Sequence, residues 1–348
     1  EPPEAIKESL LKLARSEEKG LHAYMSNQGY PDLREKIAIF ESVRNTVPMD
    51  ASCVTMTCGA AAGLNIVLHS LLDPGDEVLV LIPYFTEYPR YIEEAGGKAV
   101  LVRCDADFRP DLEDLKAKIT PKTKALILNS PNNPSGVVYE AELLEKINAI
   151  LLAQEQTIYP ISDEVYRELS YDDRAYPPLL SHMKNALIIY SWSKSYALPG
   201  ERIGYVCYSS NIEDSANLSL ALAYYNRVLG FVNAPAVWQH VLEDNIGLAV
   251  DPTPYKKRRD RIVDIFQSLG LTAYPSEGTF YILLRRPDTL STDQFVDLCK
   301  KHGVLFVSAK GFGLEDYVRV SYAVPDRTIE GMAEAMVQVM AEIAETVF

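Results

Sequence analysis

The sequence predicts an α/β fold in which a large domain is built around a mostly parallel central sheet and a smaller α+β domain follows. Three observations predict it. Short, β-rich apolar runs alternate with helical patterns, most of those runs lack polar alternation, and the texture changes after residues 251–261 (DPTPYKKRRDR). Apolar runs without alternation suit strands covered on both faces, and strand–helix alternation suits parallel pairing.

The elements follow in order. A helical pattern covers residues 3–16 and is expected to pack with the C-terminal domain. The small-residue stretch TCGAAAGLN (57–65) leads into a helix over 64–72, with no strong strand expected ahead of it. LLDPGDEV (71–78) has Pro-Gly turn chemistry between that helix and a strand. Strands are expected at 77–82, 99–104, 124–129, 157–162, 186–191 and 203–208, with helices at 85–95, 111–118 and 140–155. After 251–261 a charged helix runs to residue 269. A strand at 279–285, a helix at 293–302, strands at 304–309 and 317–323 and a closing helix complete the chain. The expected domains are 21–255 (large) and 1–20 with 256–348 (small).

A chain of 348 residues is long enough for two such domains. Lys and Arg number 34 against 48 Asp and Glu, a net charge of −14, which argues against nucleic acid and anionic membrane surfaces as partners. A small anionic ligand needs only one local positive pocket. The five cysteines are scattered without CxxC or a usual zinc spacing, so no metal is expected and reduced thiols in a cytoplasmic protein are. The apolar runs are too short to span a membrane. The opening EPPEAIKESL has neither an initiating Met nor a signal peptide, so the chain is expected to begin part-way into the gene product.

Four motifs carry chemistry. Ala60 and Ala61 of TCGAAAGLN let backbone N–H groups at a helix start approach an anion; helix packing through small residues explains the stretch equally well. NSPNNPSG (129–136) follows a strand end and reads as a rigid loop presenting amides, or as an ordinary turn. ISDEVY (161–166) places Asp163 at the end of a buried strand, where a carboxylate needs a cation or several donors unless it caps a helix; Tyr166 can face the same space. SWSKSYALPGERIGY (191–205) combines Ser191, Ser193 and Arg202, residue types that hold a phosphate, with Lys194, a candidate nucleophile toward an aldehyde; a solvated lysine and a surface salt bridge are the alternative reading. All four lie at successive loops of one sheet. A phosphate, an aldehyde, a phenolic oxygen and a basic ring nitrogen match them together, and pyridoxal phosphate has all four.

At these motifs the chain resembles the class I aminotransferases of the fold-type I pyridoxal-phosphate superfamily, most of all the bacterial aspartate/aromatic branch. GYPDLREKIA, LDPGDEVLVLIPYF, NSPNNPSG, SDEVY, SWSKSYALPGERIGY and YVRVSYA occur in the family's order, and the resemblance covers essentially all 348 residues. It implies an aminotransferase that moves an amino group from an L-amino acid to a 2-oxo acid by ping-pong kinetics. The implied cofactor is pyridoxal 5′-phosphate, held as a covalent aldimine on Lys194. Lys194 matches the Schiff-base lysine and proton carrier, and Asp163 the partner of the pyridine nitrogen. Tyr166 and Asn133 match the partners of the phenolic oxygen, and Phe85 the aromatic stacked on the ring. Ala60 and Ala61 match the backbone phosphate binders, and Ser191, Ser193 and Arg202 the side-chain ones. Arg319 matches the clamp on the substrate carboxylate. Tyr24 matches a tyrosine that reaches the phosphate of the partner subunit, which implies a homodimer with shared active sites. The resemblance also implies a few tens of residues ahead of residue 1.

Two departures bear on the substrate. Ala61 stands where some bacterial aspartate aminotransferases place a lysine for the distal carboxylate, which weakens an aspartate-specific reading. Arg227 in YYNRVLGFVNAP (224–235) is a candidate for that cation from the partner subunit, or a surface or interface arginine. A β-eliminating C–S lyase on the same fold shares every cofactor residue and remains the alternative. A non-catalytic cofactor-binding regulator lacks its basic module here, and a nicotinamide dehydrogenase lacks its Gly-rich fingerprint.

Overall fold

The uninterrupted apolar runs become strands of one sheet, and the two-residue period within each strand divides its side chains between two cores. The computed structural model describes residues 1–172, 174–248 and 250–346. Helices α1 (Glu4–Ala14) and α2 (Pro31–Asn45) precede β1 (Val54–Thr57) and α3 (Gly59–Leu71). Then β2 (Glu77–Leu81), α4 (Tyr88–Glu94), β3 (Lys98–Val102), α5 (Leu112–Lys118), β4 (Thr123–Asn129), α6 (Ala141–Leu152) and β5 (Tyr159–Asp163) alternate. They are followed by α7 (Leu179–His182), β6 (Leu187–Ser191), α8 (Trp192–Ser195), β7 (Gly204–Tyr208), α9 (Ser215–Val228) and α10 (Ala236–Glu243). The last part holds α11 (Thr253–Ser268), β8 (Ala273–Tyr274), β9 (Tyr281–Arg285), α12 (Thr292–Lys301), β10 (Val307–Ser308), β11 (Tyr317–Ser321) and α13 (Asp326–Thr346).

The large sheet has the order β1-β7-β6-β5-β4-β2-β3. Its pairs from β3 through β6 are parallel, while β7 runs antiparallel to both β6 and β1. Leu126, Leu128, Ile188, Tyr190 and Tyr205 enter one core; Ala125, Ile127, Leu187, Ile189 and Val206 enter the other. The register pairs Asn129 with Asp163 and Asp163 with Ile189, so the C-terminal ends of β4, β5 and β6 lie side by side. Ligands of open α/β sheets bind at that edge. The second sheet, β10-β11-β9-β8, is antiparallel and carries its own core around Phe266, Ile282, Leu284, Phe295 and Val318. Among the described residues no helix is long and apolar enough to cross a membrane.

Five of the sequence expectations change in the structure. A strand, β1, does precede α3; two threonines in VTMT mute its apolar signal, yet all four residues are buried beside β7. Helix α3 begins at Gly59 rather than near residue 64, because its first turn is made of small residues with no amphipathic pattern. β3 is an edge strand with only Val102 buried, so 99–104 is not a doubly covered strand. Only Val307 and Ser308 of 304–309 pair as strand. Helix α1 packs on α10, and its one buried side chain, Ile6, joins the core of the large sheet with Leu33, Ile37 and Leu242 instead of the C-terminal core.

Candidate active site

The loops after β4, β5 and β6 and the start of α3 surround a cavity of ≈ 290 Å³. It brings together Ala60, Ala61, Phe85, Asn133, Asp163, Tyr166, Ser191, Ser193, Lys194, Arg202 and Arg319. Tyr24 and Arg227 do not line it. Tyr24 is 92 % exposed, and Arg227 lies exposed in the last turn of α9.

One end of the cavity is an anion cradle. Helix α3 has no side-chain cap, so its first-turn N–H groups, at Ala60 and Ala61, remain available as donors. A Cβ at Gly59 would lie 2.8 Å from an Arg202 Nη, and Gly59 sits at φ +80°, where glycine alone is free of strain, so the guanidinium packs close against the backbone. Arg202 is itself held by donation to the Pro199 carbonyl at 2.9 Å. The Ser191 and Ser193 hydroxyls lie 2.8 Å apart beside it, and Ser191 caps α8 by accepting from the Ser193 N–H.

The other end holds a buried carboxylate. Asp163 accepts from the Tyr88 hydroxyl at 2.7 Å through Oδ2, while buried Oδ1 has no protein partner. Burial pushes its carboxyl up to about 6; the Tyr88 hydroxyl, the Val165 N–H and Lys194 act against that rise. Burial likewise lowers the Lys194 amine, Asp163 opposes this, and Arg202 and Arg319 reinforce it. Burial, with Tyr281 adding to it, holds the Tyr166 phenol well above its ordinary value, so its O–H remains a donor.

Arg319 reaches in from the second sheet. Its guanidinium lies 4.3 Å from the centroid of the Tyr281 ring and 4.7 Å from that of Phe312, donates to Asn133 Oδ1 at 3.0 Å, and leaves Nε buried without a partner. Asn129 ties the loop down: its Oδ1 accepts from the Asn133 N–H at 2.7 Å and its amide donates to the Asp163 carbonyl at 3.0 Å.

An uncapped helix start with two hydroxyls and a guanidinium, an amine and a buried acceptor thus share one cavity. A family model described as aminotransferase class I and II matches residues 1–336. The chain belongs to the class I and II aminotransferase family.

Among similar proteins, the aspartate/prephenate aminotransferase of Thermus thermophilus is 31 % identical over 349 residues, spanning 97 % of this chain and 88 % of the relative. The aspartate aminotransferase of Sulfolobus acidocaldarius is 30 % identical, with 91 % and 82 % covered. A crystal structure of an aminotransferase from Eubacterium rectale superposes with a TM-score of 0.94 at 34 % identity, over 98 % of this chain and 87 % of that one. Thermus thermophilus aspartate aminotransferase with maleate gives a TM-score of 0.88 at 29 % identity, over 97 % and 88 %.

Enzymes of this family use pyridoxal phosphate, and this aminotransferase presents the groups that fit it: an orphaned buried acceptor, an uncapped helix start among hydroxyls and a guanidinium, and a half-buried amine. Sequence reasoning missed Tyr88, Tyr91, Asn129 and Tyr281, which also line the aminotransferase cavity. Tyr88 was within reach, since it follows Phe85 by three residues at a helix start. Asn129 opens the quoted loop. Tyr281 had no local signal, because only the packing of β9 against the large unit turns it toward the cavity.

Proposed function

We propose that the cavity holds pyridoxal 5′-phosphate, that Lys194 bonds covalently to it, and that this aminotransferase acts on dicarboxylic, aromatic or a broad set of L-amino acids. The observation that carries the reading is the unpartnered, buried Asp163 Oδ1 facing the cavity that also holds the Lys194 amine. When bound, the cofactor supplies an electron sink for the substrate's Cα–H electrons.

The chain's residues do the rest. Asp163 would accept from the N–H of the cofactor's ring and so favour its cationic form, while Tyr88 holds the carboxylate in place. The Tyr166 phenol and the Asn133 amide would donate to the cofactor's ring oxygen, and Phe85 would pack on its ring. Ala60 and Ala61 N–H groups, the Ser191 and Ser193 hydroxyls and Arg202 hold the phosphate. Arg319, packed against Tyr281 and Phe312, clamps the α-carboxylate. Lys194, once an incoming amino group has taken its place and left its amine free, would remove the α-proton and return it, as base and then acid, and burial makes that amine easier to deprotonate. Donor amino acid and acceptor 2-oxo acid take turns, which is ping-pong kinetics.

Residues 21–255 form the cofactor-holding unit and 256–348 the smaller one in this reading, with α1 seated on the former. Tyr24 reaches the phosphate site of a second copy in a homodimer. Its 92 % exposure and the exposed stripe of Leu220, Tyr224 and Val228 on α9 support that assembly, and Arg227 lies exposed on the same helix. The scattered free cysteines support a cytoplasmic location. The test is a half-reaction screen. Each common amino acid is mixed with the loaded enzyme, and loss of the visible cofactor band is followed, then its recovery on adding a 2-oxo acid. Aspartate or an aromatic amino acid is expected among the strongest donors. Ammonia released without any acceptor would overturn the transferase reading in favour of a lyase.

A further inference from the structure

A buried ion cluster lies behind the sheet edge that forms the cavity. Arg167 is its centre, with a side chain 1 % exposed. It donates through Nε to Glu168 (2.9 Å), through Nη1 to Glu164 (3.1 Å) and through Nη2 to Glu41 (2.6 Å) and the Tyr205 hydroxyl (3.0 Å). Its guanidinium lies 4.0 Å from the centroid of the Tyr190 ring. Tyr190 in turn shares a hydrogen bond with the Ser195 hydroxyl at 2.8 Å. Burial opposes the charge on Glu41, yet Arg167 and Tyr205 hold its carboxyl below the ordinary range.

The partners of this cluster sit beside the reactive residues in sequence. Glu164 follows Asp163, Ser195 follows Lys194, and Tyr190 precedes Ser191. Along a strand, neighbouring side chains point to opposite faces. Asp163 and Ser191 therefore face the cavity while Glu164 and Tyr190 face the cluster. Strand β5 and the turn α8 are thus gripped from behind, one by an ion pair and the other through a stacked ring and a hydroxyl. The Glu164 N–H bond to the Ile189 carbonyl, at 2.9 Å, joins the end of β5 to β6, the strand that runs directly into α8. A buried ion cluster adds little net stability over apolar packing, but removing one partner leaves the others buried and unpaired, so its members stay fixed relative to one another while it is intact.

We propose that Arg167 is a positioning residue for amino transfer: it sets the strand end bearing Asp163 and the turn bearing Lys194 at the separation that a cofactor bridging them requires. The proposal rests on the roles assigned above to Lys194 and Asp163.

The test uses three variants. Arg167→Met removes the charge, Arg167→Lys keeps it without the planar fork, and Tyr190→Phe deletes only the hydroxyl that reaches Ser195. In the loaded enzyme, Arg167→Met is expected to lower kcat by about 10- to 100-fold, the scale of a misplaced reacting group. KM should stay within about threefold because Arg319 is untouched. Arg167→Lys should recover part of the loss, and Tyr190→Phe should show a smaller fall in kcat. In the cofactor-free chain, amide hydrogen exchange at residues 192–196 should quicken by about tenfold in Tyr190→Phe, with β9 unchanged. Variants that lose thermal stability but keep wild-type kcat and wild-type exchange at 192–196 would overturn the proposal. If the Arg167 variants fail to fold, Tyr190→Phe decides the matter by the same two readings. If the wild-type enzyme transfers no amino group, the functional reading falls. The exchange measurement on the cofactor-free chain still reports whether the cluster holds the Lys194 turn.

Discussion

Replacing Tyr88 with phenylalanine removes one oxygen atom and asks what keeps Asp163 charged. The Tyr88 hydroxyl donates to Asp163 Oδ2 at 2.7 Å, and both side chains are buried. A hydrogen bond to a charged group contributes about 1.5–3 kcal/mol. One pKa unit corresponds to about 1.4 kcal/mol, so Tyr88→Phe should raise the Asp163 carboxyl by a further ~1–2 units. The direction of the stability change follows from linkage. A carboxyl whose folded value lies above its unfolded one binds extra proton in the native state. Stability is then greatest below the unfolded value and falls as pH rises through the folded one. For the wild-type chain without cofactor, that fall runs from about 4 to about 6. In the variant it should continue to roughly 7–8 and leave the protein about 1.5–3 kcal/mol less stable on the alkaline side. Thermal or urea unfolding of the cofactor-free protein, measured between about pH 4 and pH 8, reads both curves. Superimposable profiles would show that Tyr88 does not sustain the Asp163 charge and would refute the reasoning.

Three further expectations concern the same cavity and its rim. Lys194→Ala should abolish turnover, and borohydride should fix cofactor to wild-type protein at one lysine; mass spectrometry placing that adduct anywhere but Lys194 would contradict the assignment. Arg319→Ala should raise the amino-acid KM by about 30-fold or more, since truncating one side of a buried charge pair costs upward of ~2 kcal/mol; steady-state kinetics with an unchanged KM would remove it from the site. Gly136 sits at φ +74° with the Ser276 side chain where a Cβ would go, and its carbonyl accepts from both Glu277 and Gly278 N–H groups. Gly136→Ala should therefore destabilise the chain by about 1–3 kcal/mol, and a wild-type Tm in calorimetry would show that the loop yields easily.

The legible part of this protein was the part carried by neighbouring residues. Lys194 between Ser191, Ser193 and Arg202, Asp163 at the end of an apolar run, and the paired asparagines after 124–129 each announce themselves within a few positions, because strand ends and the loops that follow them are short-range features. Strand β1 and the true start of α3 escaped notice, since a threonine-rich strand and an alanine–glycine first turn have weak hydropathy patterns even when packing buries them.

Composition, strand order of appearance and motif spacing were enough to establish the α/β architecture and to single out Lys194, Asp163, Ser191, Ser193 and Arg202, which the structure brings to one cavity. They could not reveal that Tyr88 holds Asp163, that Tyr281 and Phe312 pack against Arg319, or that Arg167 ties Glu41, Glu164 and Tyr205 together behind the site. Those contacts join residues from 3 to 126 positions apart in the Arg167 cluster alone. Local propensity sets which face of a strand or helix a side chain occupies; which residues then meet across elements depends on packing the whole chain into one low-energy arrangement.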